Sequence, residues 1–351
     1  MNPISICIIA KNEERTLDKC LSALKPMDCE IIFVDTGSTD STKQIAKKYT
    51  DKIYDFTWTD DFSAARNFSI SKASHDWILV IDCDEYVENF DMQQLLAFTH
   101  SNKESIGEIT RHDLYGSSTD NYTYTSLIER FFNKNYFHYS LPIHEQIVPV
   151  SRCEYQTFPA SVSILHDGYF DNEERLKAKN ERNIRILEQA LKNNPDDAYL
   201  NFQTGQSYYG LEKYEIALSY YQKALVQDIN FASVAGRSLV NGWINCLNEL
   251  HRSEEALQIL PHYHELCDTS DFLLLMGHVY TNLGRYVEAV GEYLKAIQAP
   301  KCNKEGANSY LPYYRIGILY EALGDIRTAA VMFQKCGDYA PAQKKLKELL
   351  I

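Results

Sequence analysis

Long apolar runs, an excess of basic residues and paired cysteines are all missing from this sequence of 351 residues. The apolar stretch at residues 4–10 is too short for a signal peptide or a membrane span, and charged residues follow it at once. The formal net charge of −13 disfavours a general nucleic-acid binder, because phosphate binding needs clustered Lys and Arg. We therefore expect no membrane span and no nucleic acid among the partners.

The nine cysteines form no C-x-x-C pair and lie scattered through apolar segments. An odd number without that spacing favours reduced core residues over a disulfide framework. This cysteine usage predicts a cytoplasmic protein. A hydrophobic content of 45% and a charged content of 24% are those of an ordinary globular chain, and the length allows two domains with separate cores.

The first half of the chain alternates strand-like and helix-like segments. Strands are expected at residues 4–10, 30–35, 53–56 and 77–82, with helices at 13–24, 41–49 and 63–72 between them. This β-α-β-α order predicts an α/β domain with a parallel sheet and helices on both faces. Aromatic-rich strands from residue 106 to 164 are expected to complete the sheet as a mixed one.

From residue 172 onward the sequence is helical, and an internal repeat appears after Asn194-Pro195. Three copies keep the same internal spacing, with a weaker copy around Leu247, Ala256 and Leu260. The matching positions are Gly205, Tyr208, Ala217, Tyr221 and Ala224; Gly277, Tyr280, Ala289, Tyr293 and Ala296; and Gly317, Tyr320, Ala329, Phe333 and Cys336. This spacing is that of tetratricopeptide repeats, in which small residues let paired helices approach while aromatics fill the gap.

Two carboxylates, Asp82 and Asp84, end the most strongly apolar strand of the first half. Alternate residues of a strand project to one side, so both side chains could point together from its carboxyl end. Ligands bind at that end in open α/β sheets, and hard oxygen ligands suit Mg²⁺ or Mn²⁺, which would hold a diphosphate. The alternative is an exposed acidic turn without a ligand.

Small and polar residues follow the first two strands, where a base and ribose could lie. The first strand is followed by Ala10, Asn12 and Glu13. The second is followed by Asp35, Thr36 and Ser38. A carboxylate there can accept hydrogen bonds from a base or from ribose hydroxyls, although a turn and a helix N-cap would also explain the second group.

Further candidates are one arginine, two histidines and one glutamate. Arg66 begins a short helix and could meet a diphosphate bidentately, or could instead pair with Asp60 or Asp61 at the surface. His144 and Glu145 offer a general base for deprotonating an acceptor. His166 could add a nitrogen ligand to the metal.

These motifs together resemble the family 2 glycosyltransferases of the GT-A fold. The resemblance rests on residues 8–13, 34–40 and Asp82-Cys83-Asp84. It implies a UDP-sugar donor bound by the first two motifs, and a divalent cation and ribose bound by the third, with Cys83 in the donor site. One departure is that the second motif often reads Asp-Asp, whereas Thr36 stands at the second place, so uracil recognition would pass to Asp35 or Glu13.

The longer order of motifs narrows the resemblance. It runs through Asp61-Phe62-Ser63, Arg66-Asn67, the D-x-D, Arg130, His144-Glu145 and His166 to the repeats, and is similar to that of sublancin-type peptide S-glycosyltransferases. That family implies inverting transfer of a hexose to a cysteine of a bacteriocin-like precursor, and dimerisation through the helical part. The same motifs also resemble enzymes that extend lipopolysaccharide core or other surface glycans, so the acceptor stays open.

The sequence thus predicts a metal-dependent inverting glycosyltransferase with a GT-A domain at residues 1–170, a linking helix at 171–195 and a repeat domain at 196–351. Asp84 and His166 would hold Mg²⁺ or Mn²⁺, and Glu145 or His144 would be the base. The partners expected are a UDP-hexose, a peptide acceptor in the repeat groove and a second copy of the chain. A repeat scaffold with an inactive transferase domain is a further alternative.

Overall fold

The computed structural model describes residues 2–116, 121–151, 154–170 and 173–349. The chain separates into two compact units, residues 1–173 and 174–351. The boundaries expected from the sequence at residues 170 and 195 stay predictions. In the described ranges, no helix is both long and apolar enough to cross a membrane.

The first unit is built on strands β1 to β10 and helices α1 to α4. The strands are Asn2–Ala10, Cys29–Asp35, Ile53–Asp55, Trp77–Val80, Glu85–Phe90, Ser105–Gly116, Asn121–Asn133, Phe137–Ser140, Gln146–Pro149 and Gln156–Phe170. The helices are Leu17–Leu24, Thr42–Ala46, Phe62–Lys72 and Met92–Ser101, with a 3₁₀ turn at Lys25–Met27.

Eight of these strands form one sheet in the order β3-β2-β1-β4-β7-β6-β10-β5, and β8 pairs with β9 in a separate hairpin. The pairs β2–β3, β1–β2, β1–β4 and β6–β10 are parallel, and the others are antiparallel. The expected mixed, mainly parallel sheet is confirmed. All four residues of β4 are buried, as an apolar strand covered on both faces should be.

The ends of several elements differ from the sequence prediction, and the helix expected at residues 41–49 ends at Ala46. The helix expected at residues 13–24 begins only at Leu17, because Asn12 takes a left-handed φ of 57° and a turn precedes the helix. The strand expected at 77–82 ends at Val80. Asp82 and Asp84 therefore lie in the turn before β5, where the alternation of a strand no longer aligns their side chains. The expectation that both project together from one strand face was wrong.

The second unit is helical over its described residues. Its helices, α5 to α14, are Glu173–Leu191, Ala198–Tyr209, Tyr214–Leu225, Val234–Glu249, Tyr263–Leu266, Ser270–Asn282, Tyr286–Gln298, Tyr310–Ala322, Ile326–Gln334 and Ala340–Leu349. In the pairs α6–α7 and α12–α13, a Cβ added to Gly205 or Gly317 would lie 2.8 Å from Tyr221 or 2.6 Å from Phe333. Glycine therefore lets each aromatic ring reach the partner helix backbone, which confirms the repeat.

The weaker copy departs from this pairing. Leu247, at the end of α8, and Ala256 are fully buried, as the repeat predicts. The second helix of the copy is instead a 3₁₀ helix, Glu255–His262, which contains Pro261. Proline lacks the N–H that an α-helix needs, so the sequence explains why this helix is not α-helical.

Candidate active site

The carboxyl ends of β1 and β2 form a closed polar corner. The two strands are parallel, and Ala10 at the end of β1 lies beside Asp35 at the end of β2. Both strands therefore end at the same edge of the sheet. Thr36 donates its backbone N–H and its hydroxyl to the carbonyl of Ala10, at 2.9 and 3.0 Å. Asp35 accepts the backbone N–H groups of Gly37 and Ser38 through Oδ2, at 3.2 and 3.0 Å.

The second oxygen of Asp35, Oδ1, is buried and has no hydrogen-bond partner in the described part of the chain. A buried acceptor without a partner destabilises a protein, so such an atom needs a reason to be retained. A base or ribose donor at this corner would supply the missing hydrogen bond. The geometry therefore fits the nucleotide-binding role predicted for Asp35, while Thr36 is occupied in closing the corner.

The loop after β1 is joined to the segment after β2 by several hydrogen bonds. Asn12 donates its backbone N–H to Ser38 Oγ at 2.9 Å and accepts the backbone N–H of Thr39 through Oδ1 at 2.8 Å. Glu13 donates its backbone N–H to Thr42 Oγ1 at 2.8 Å. Asn12 and Ser38 thus hold the two loops together, and the structure brings all the predicted residues of this corner to one edge.

The segment Asp61-Phe62-Ser63-Ala64-Ala65-Arg66-Asn67 fixes α3 against the β8–β9 loop. Asp61 caps the helix by accepting the N–H of Ala64 at 2.9 Å. Phe62 donates its N–H to the carbonyl of Pro142 at 2.8 Å. Asn67 holds the backbone of Tyr139 with a donor and an acceptor, at 2.8 and 2.9 Å. The motif therefore positions the loop that carries His144 and Glu145.

Arg66 lies at the centre of a buried charge cluster. It donates through Nη2 to Asp82 Oδ1 at 2.9 Å and through Nε to Glu145 Oε1. It does not form the alternative surface pair with Asp60 or Asp61. The side chain of Arg66 is 6% exposed, whereas that of Asp82 is 29% exposed. Asp82 is thus the member of this pair that offers an open face to a ligand.

Arg130 completes the cluster, and the sequence analysis gave it no role. It donates to Asp82 Oδ2 at 2.9 Å and to Glu85 Oε1 at 3.3 Å. Gly107 faces Phe131 while Glu108 faces Glu129, so Arg130 is the extra residue of a β-bulge on β7. A bulge redirects a side chain, and here it accompanies an arginine turned toward Asp82. Glu85 also accepts the N–H of Asp82, at 2.9 Å.

The two arginines control the ionisation of this cluster. Burial alone would raise the pKa of Asp82, but Arg66 and Arg130 outweigh it and hold that pKa well below its usual range. For Glu85, burial dominates and raises the pKa, with Arg130 acting in the opposite direction. Burial also raises the pKa of Tyr139 to about 12. Asp82 is therefore the firmly ionised carboxylate of the cluster.

Asp84 faces His166, with Oδ2 and Nε2 3.6 Å apart. The other ring nitrogen of His166, Nδ1, lies 2.6 Å from Oδ1 of the buried Asp113. A Cβ on Gly168 would lie 2.6 Å from His166 Nε2 and 2.7 Å from Asp84 Oδ2, so glycine keeps the space beside both atoms clear.

This pair fits a divalent cation. A carboxylate oxygen and an imidazole nitrogen are ligands that Mn²⁺ accepts, and Mg²⁺ or Mn²⁺ is often held by one or two side chains plus substrate phosphates. Searched over the described residues, the chain shows no cluster of three or more His, Cys, Asp or Glu able to hold a metal alone. Oxygens of a substrate would have to complete the coordination.

Cys83 and Glu145 have largely buried side chains. Cys83 lies in the hydrophobic core, where burial raises the pKa of its thiol well above the usual value, so only its backbone is suited to its predicted donor contact. Glu145 is bound to Arg66 and its side chain is 12% exposed. His144 precedes it with a left-handed φ of 49°.

The structure thus groups the predicted residues into a nucleotide corner, a charge cluster and a metal pair. Four contributors were missed, namely Arg130, Glu85, Asp113 and Gly168. Arg130 and Gly168 lie within the motifs of the sequence, so a charged side chain and a glycine at these positions could have identified them as site residues. Asp113 carried no such signal, since a single Asp in a predicted strand is more often exposed.

Family profiles match both units of the chain. The profile described as Glycosyl transferase family 2 matches residues 5–152, which contain the nucleotide corner, Arg66, Asp82, Asp84 and Glu145. The first unit is a family 2 glycosyltransferase domain. Tetratricopeptide repeat profiles match residues 270–301 and 313–343, which include the glycines and aromatics of two repeat copies. The GT-A domain followed by a tetratricopeptide-repeat domain is the fold expected from the sequence.

Three curated proteins illustrate what the glycosyltransferase domain and its repeats are similar to. A TPR repeat-containing protein of Synechococcus elongatus is 33% identical over 224 residues, covering 58% of this chain and 52% of that protein. The SPbeta prophage-derived glycosyltransferase SunS of Bacillus subtilis is 29% identical over 236 residues, covering 63% and 53%. The lipopolysaccharide core biosynthesis glycosyltransferase LpsC of Rhizobium meliloti is 29% identical over 158 residues, covering 42% and 57%. The chain spans about half the length of these relatives.

Proposed function

We propose that this chain is a metal-dependent inverting glycosyltransferase that moves a hexose from a UDP-sugar to a peptide. The observation that carries the proposal is the pair Asp84 and His166, which face each other beside the clear space at Gly168. This pair and the corner at Asp35 both belong to the edge where β1, β2 and β4 end. A nucleoside diphosphate has a base and ribose, which the corner at Asp35 would bind, and phosphates, which a cation at Asp84 and His166 would bind.

On the donor side, each residue has a role that follows from its contacts. Asp35 Oδ1 would accept a hydrogen bond from the uracil or ribose, and Asn12, Glu13 and Ser38 keep the corner in place. Asp82, held ionised by Arg66 and Arg130, would orient the ribose or donor sugar through its exposed face. Mg²⁺ or Mn²⁺ held by Asp84 and His166 would supply positive charge to the leaving diphosphate.

On the acceptor side, Glu145 or His144 would take the proton of the attacking group. Arg66 fixes the orientation of Glu145 through a hydrogen bond from Nε, which leaves Glu145 Oε2 for the acceptor. The proton passes from the acceptor to this base as the new bond forms at the anomeric carbon and the bond to the diphosphate breaks. A thiol has a pKa closer to neutrality than a hydroxyl, so a cysteine acceptor would depend less on the base.

A peptide acceptor is supported by the motif resemblance to sublancin-type peptide S-glycosyltransferases. The similarity to SunS also covers 63% of the chain, which exceeds the length of the first unit and so includes part of the repeats. The similarity to LpsC covers 42% of the chain. It favours a second candidate function, which is transfer to a lipopolysaccharide core or other surface glycan. The repeats would bind the peptide or a second copy of the chain, and a cytoplasmic location would suit both.

Transfer assays would test the proposal. The purified chain would be given UDP-glucose, UDP-galactose or UDP-N-acetylglucosamine with Mn²⁺, and either a Cys peptide, its Ser counterpart or a core oligosaccharide. We expect the peptide to gain the mass of one hexose, or of one N-acetylhexosamine with the third donor, in a reaction that requires Mn²⁺ and disappears with chelator. Gain on the oligosaccharide alone would establish the second candidate. Absence of UDP binding with Mn²⁺ in calorimetry would instead indicate a repeat scaffold with an inactive domain.

The choice of base would be tested with Glu145→Gln and His144→Gln. If Glu145 is the base, Glu145→Gln should lower kcat by about 10²–10⁴-fold on a Ser peptide and less on a Cys peptide. His144→Gln tests the other candidate, and the larger loss on the Ser peptide would identify the base. Equal losses on both peptides would contradict the thiol argument.

A further inference from the structure

We propose that Asp113 is a positioning residue for the metal site, which fixes the tautomer and the orientation of His166. This inference rests on the metal site of the proposed function and extends it to a residue that would not touch the metal. Asp113 is on β6 and is 1% exposed, and it lies beside His166 of β10 in the parallel register.

The first argument is the hydrogen bond between the two residues. His166 Nδ1 lies 2.6 Å from Asp113 Oδ1. An ionised carboxylate only accepts hydrogen bonds, so Nδ1 carries the proton and donates it. In the neutral ring the lone pair then belongs to Nε2, the atom that faces Asp84 Oδ2 at 3.6 Å. Asp113 therefore selects the tautomer that can bind a metal.

The second argument is that Asp113 is itself held in place. Arg111, two residues before it on β6, donates Nε to the carboxylate of Asp113, at 3.0 Å from Oδ1 and 3.2 Å from Oδ2. Arg111 also provides the positive charge that a buried carboxylate needs. A carboxylate that orients a metal-binding histidine typically changes metal affinity by about 10–100-fold.

The third argument comes from the geometry around Gly168. The space beside His166 Nε2 and Asp84 Oδ2 is clear only because residue 168 has no side chain. A ring rotated away from Asp113 would lose this alignment, since Nδ1 and Nε2 point to opposite sides of the imidazole. The hydrogen bond that Nδ1 donates to Asp113 and the absence of a side chain at Gly168 thus both leave Nε2 of His166 available.

Mn²⁺ binding to the whole chain in the presence of UDP, measured by electron paramagnetic resonance without any acceptor, would test the inference. We expect Asp113→Asn to weaken Mn²⁺ binding about 10–100-fold, because its amide can donate to Nδ1 and favour the wrong tautomer. Asp84→Ala and His166→Ala should weaken it at least as much. Glu30→Gln is the matched control, since it changes another buried carboxylate of the same unit.

The outcomes separate this inference from the proposed function. Mn²⁺ binding within twofold of the parent for Asp113→Asn, with large losses for Asp84→Ala and His166→Ala, would overturn the role of Asp113 alone. Unchanged binding in all three variants would overturn the metal site as well. Gly168→Ala is also expected to weaken Mn²⁺ binding, because its Cβ would lie 2.6 Å from His166 Nε2 and 2.7 Å from Asp84 Oδ2.

A measurement on the parent protein covers the case in which Asp113→Asn does not fold. In ¹⁵N-histidine-labelled protein, long-range ring correlations report which nitrogen of His166 is protonated. We expect His166 to be protonated at Nδ1 and unprotonated at Nε2 before Mn²⁺ is added. A proton on Nε2 in the neutral ring would overturn the proposal.

Discussion

The two units of this chain stabilise themselves with different chemistry. The glycosyltransferase domain buries charged side chains in its interior, among them Arg66, Arg130, Glu85 and Asp113. The repeat unit instead packs aromatic rings of one helix against glycines of the next, and places most of its ion pairs at the surface. Buried charge is expensive unless it is fully paired, so it accumulates where a reaction needs it.

The largest expected effect is that of Arg66→Met. This change leaves Asp82 and Glu145 without one buried cation, so we expect a loss of about 3–5 kcal/mol in the free energy of unfolding. Transfer activity should disappear with it. Urea unfolding would measure the loss. Arg285→Met, in an exposed pair with Glu288 in the repeats, is the control and should change stability little. Comparable losses in both variants would break the contrast between the units.

Two glycines test the repeat packing. Gly317→Ala would place a Cβ 2.6 Å from the ring of Phe333, and we expect it to destabilise the chain by about 1–3 kcal/mol. Gly291→Ala, in α11, meets no atom within 4 Å and should stabilise its helix by about 0.5–1 kcal/mol. Thermal unfolding would show opposite shifts in Tm. Shifts of the same sign would mean that the close approach of ring and glycine does not stabilise the repeat.

Glu30 links stability to pH in the first unit. Burial would raise its pKa, but hydrogen bonds from Lys52, Ser5 and Ser74 outweigh it and lower the pKa to about 2. A lowered carboxylate pKa stabilises the folded state above the unfolded value near 4.5, and this stabilisation is lost as pH falls toward 2.

We therefore expect Glu30→Gln to lose about 1.5 kcal/mol at pH 7 relative to the parent, with the difference shrinking between pH 4.5 and 2. Urea unfolding at several pH values would measure it. Glu288→Gln changes an exposed carboxylate of the repeats, where solvent screens the charge, and should alter the pH dependence of stability much less. A pH-independent loss for Glu30→Gln would exclude ionisation as the cause.

The smallest expected effect contrasts two glutamates. Burial, with a further contribution from the facing Glu108, raises the pKa of Glu129 to about 7, so ionised Glu129 destabilises the fold as pH rises above the usual value of 4.5. Glu129→Gln should stabilise by no more than about 1 kcal/mol at pH 8, since partial exposure screens the charge. Glu292, by contrast, accepts hydrogen bonds from Tyr263 and Lys295 at 2.6 and 2.7 Å, so Glu292→Gln should destabilise. Tm values at pH 8 that shift in the same direction for both variants would contradict this contrast between Glu129 and Glu292.

Local patterns predicted much of the fold and part of the site. The repeat was readable because its glycines and aromatics recur at fixed spacing, and α3 was readable because Asp61 caps it and Arg66 stands in an apolar segment. The D-x-D was also found at a strand end. Its two carboxylates, however, have different partners, since β4 stops at Val80, Asp82 pairs with the arginines and Asp84 faces His166.

The alternation of strands and helices, the repeat and the residue types at the sheet edge could be predicted, because they depend on neighbours in the chain. The contacts of Arg130 with Asp82 and of Asp113 with His166 could not, because they form only when distant strands pair. The first contact depends on a bulge in β7, and the second on the register between β6 and β10. Both features arise from pairing between distant strands, which no local pattern of side chains records.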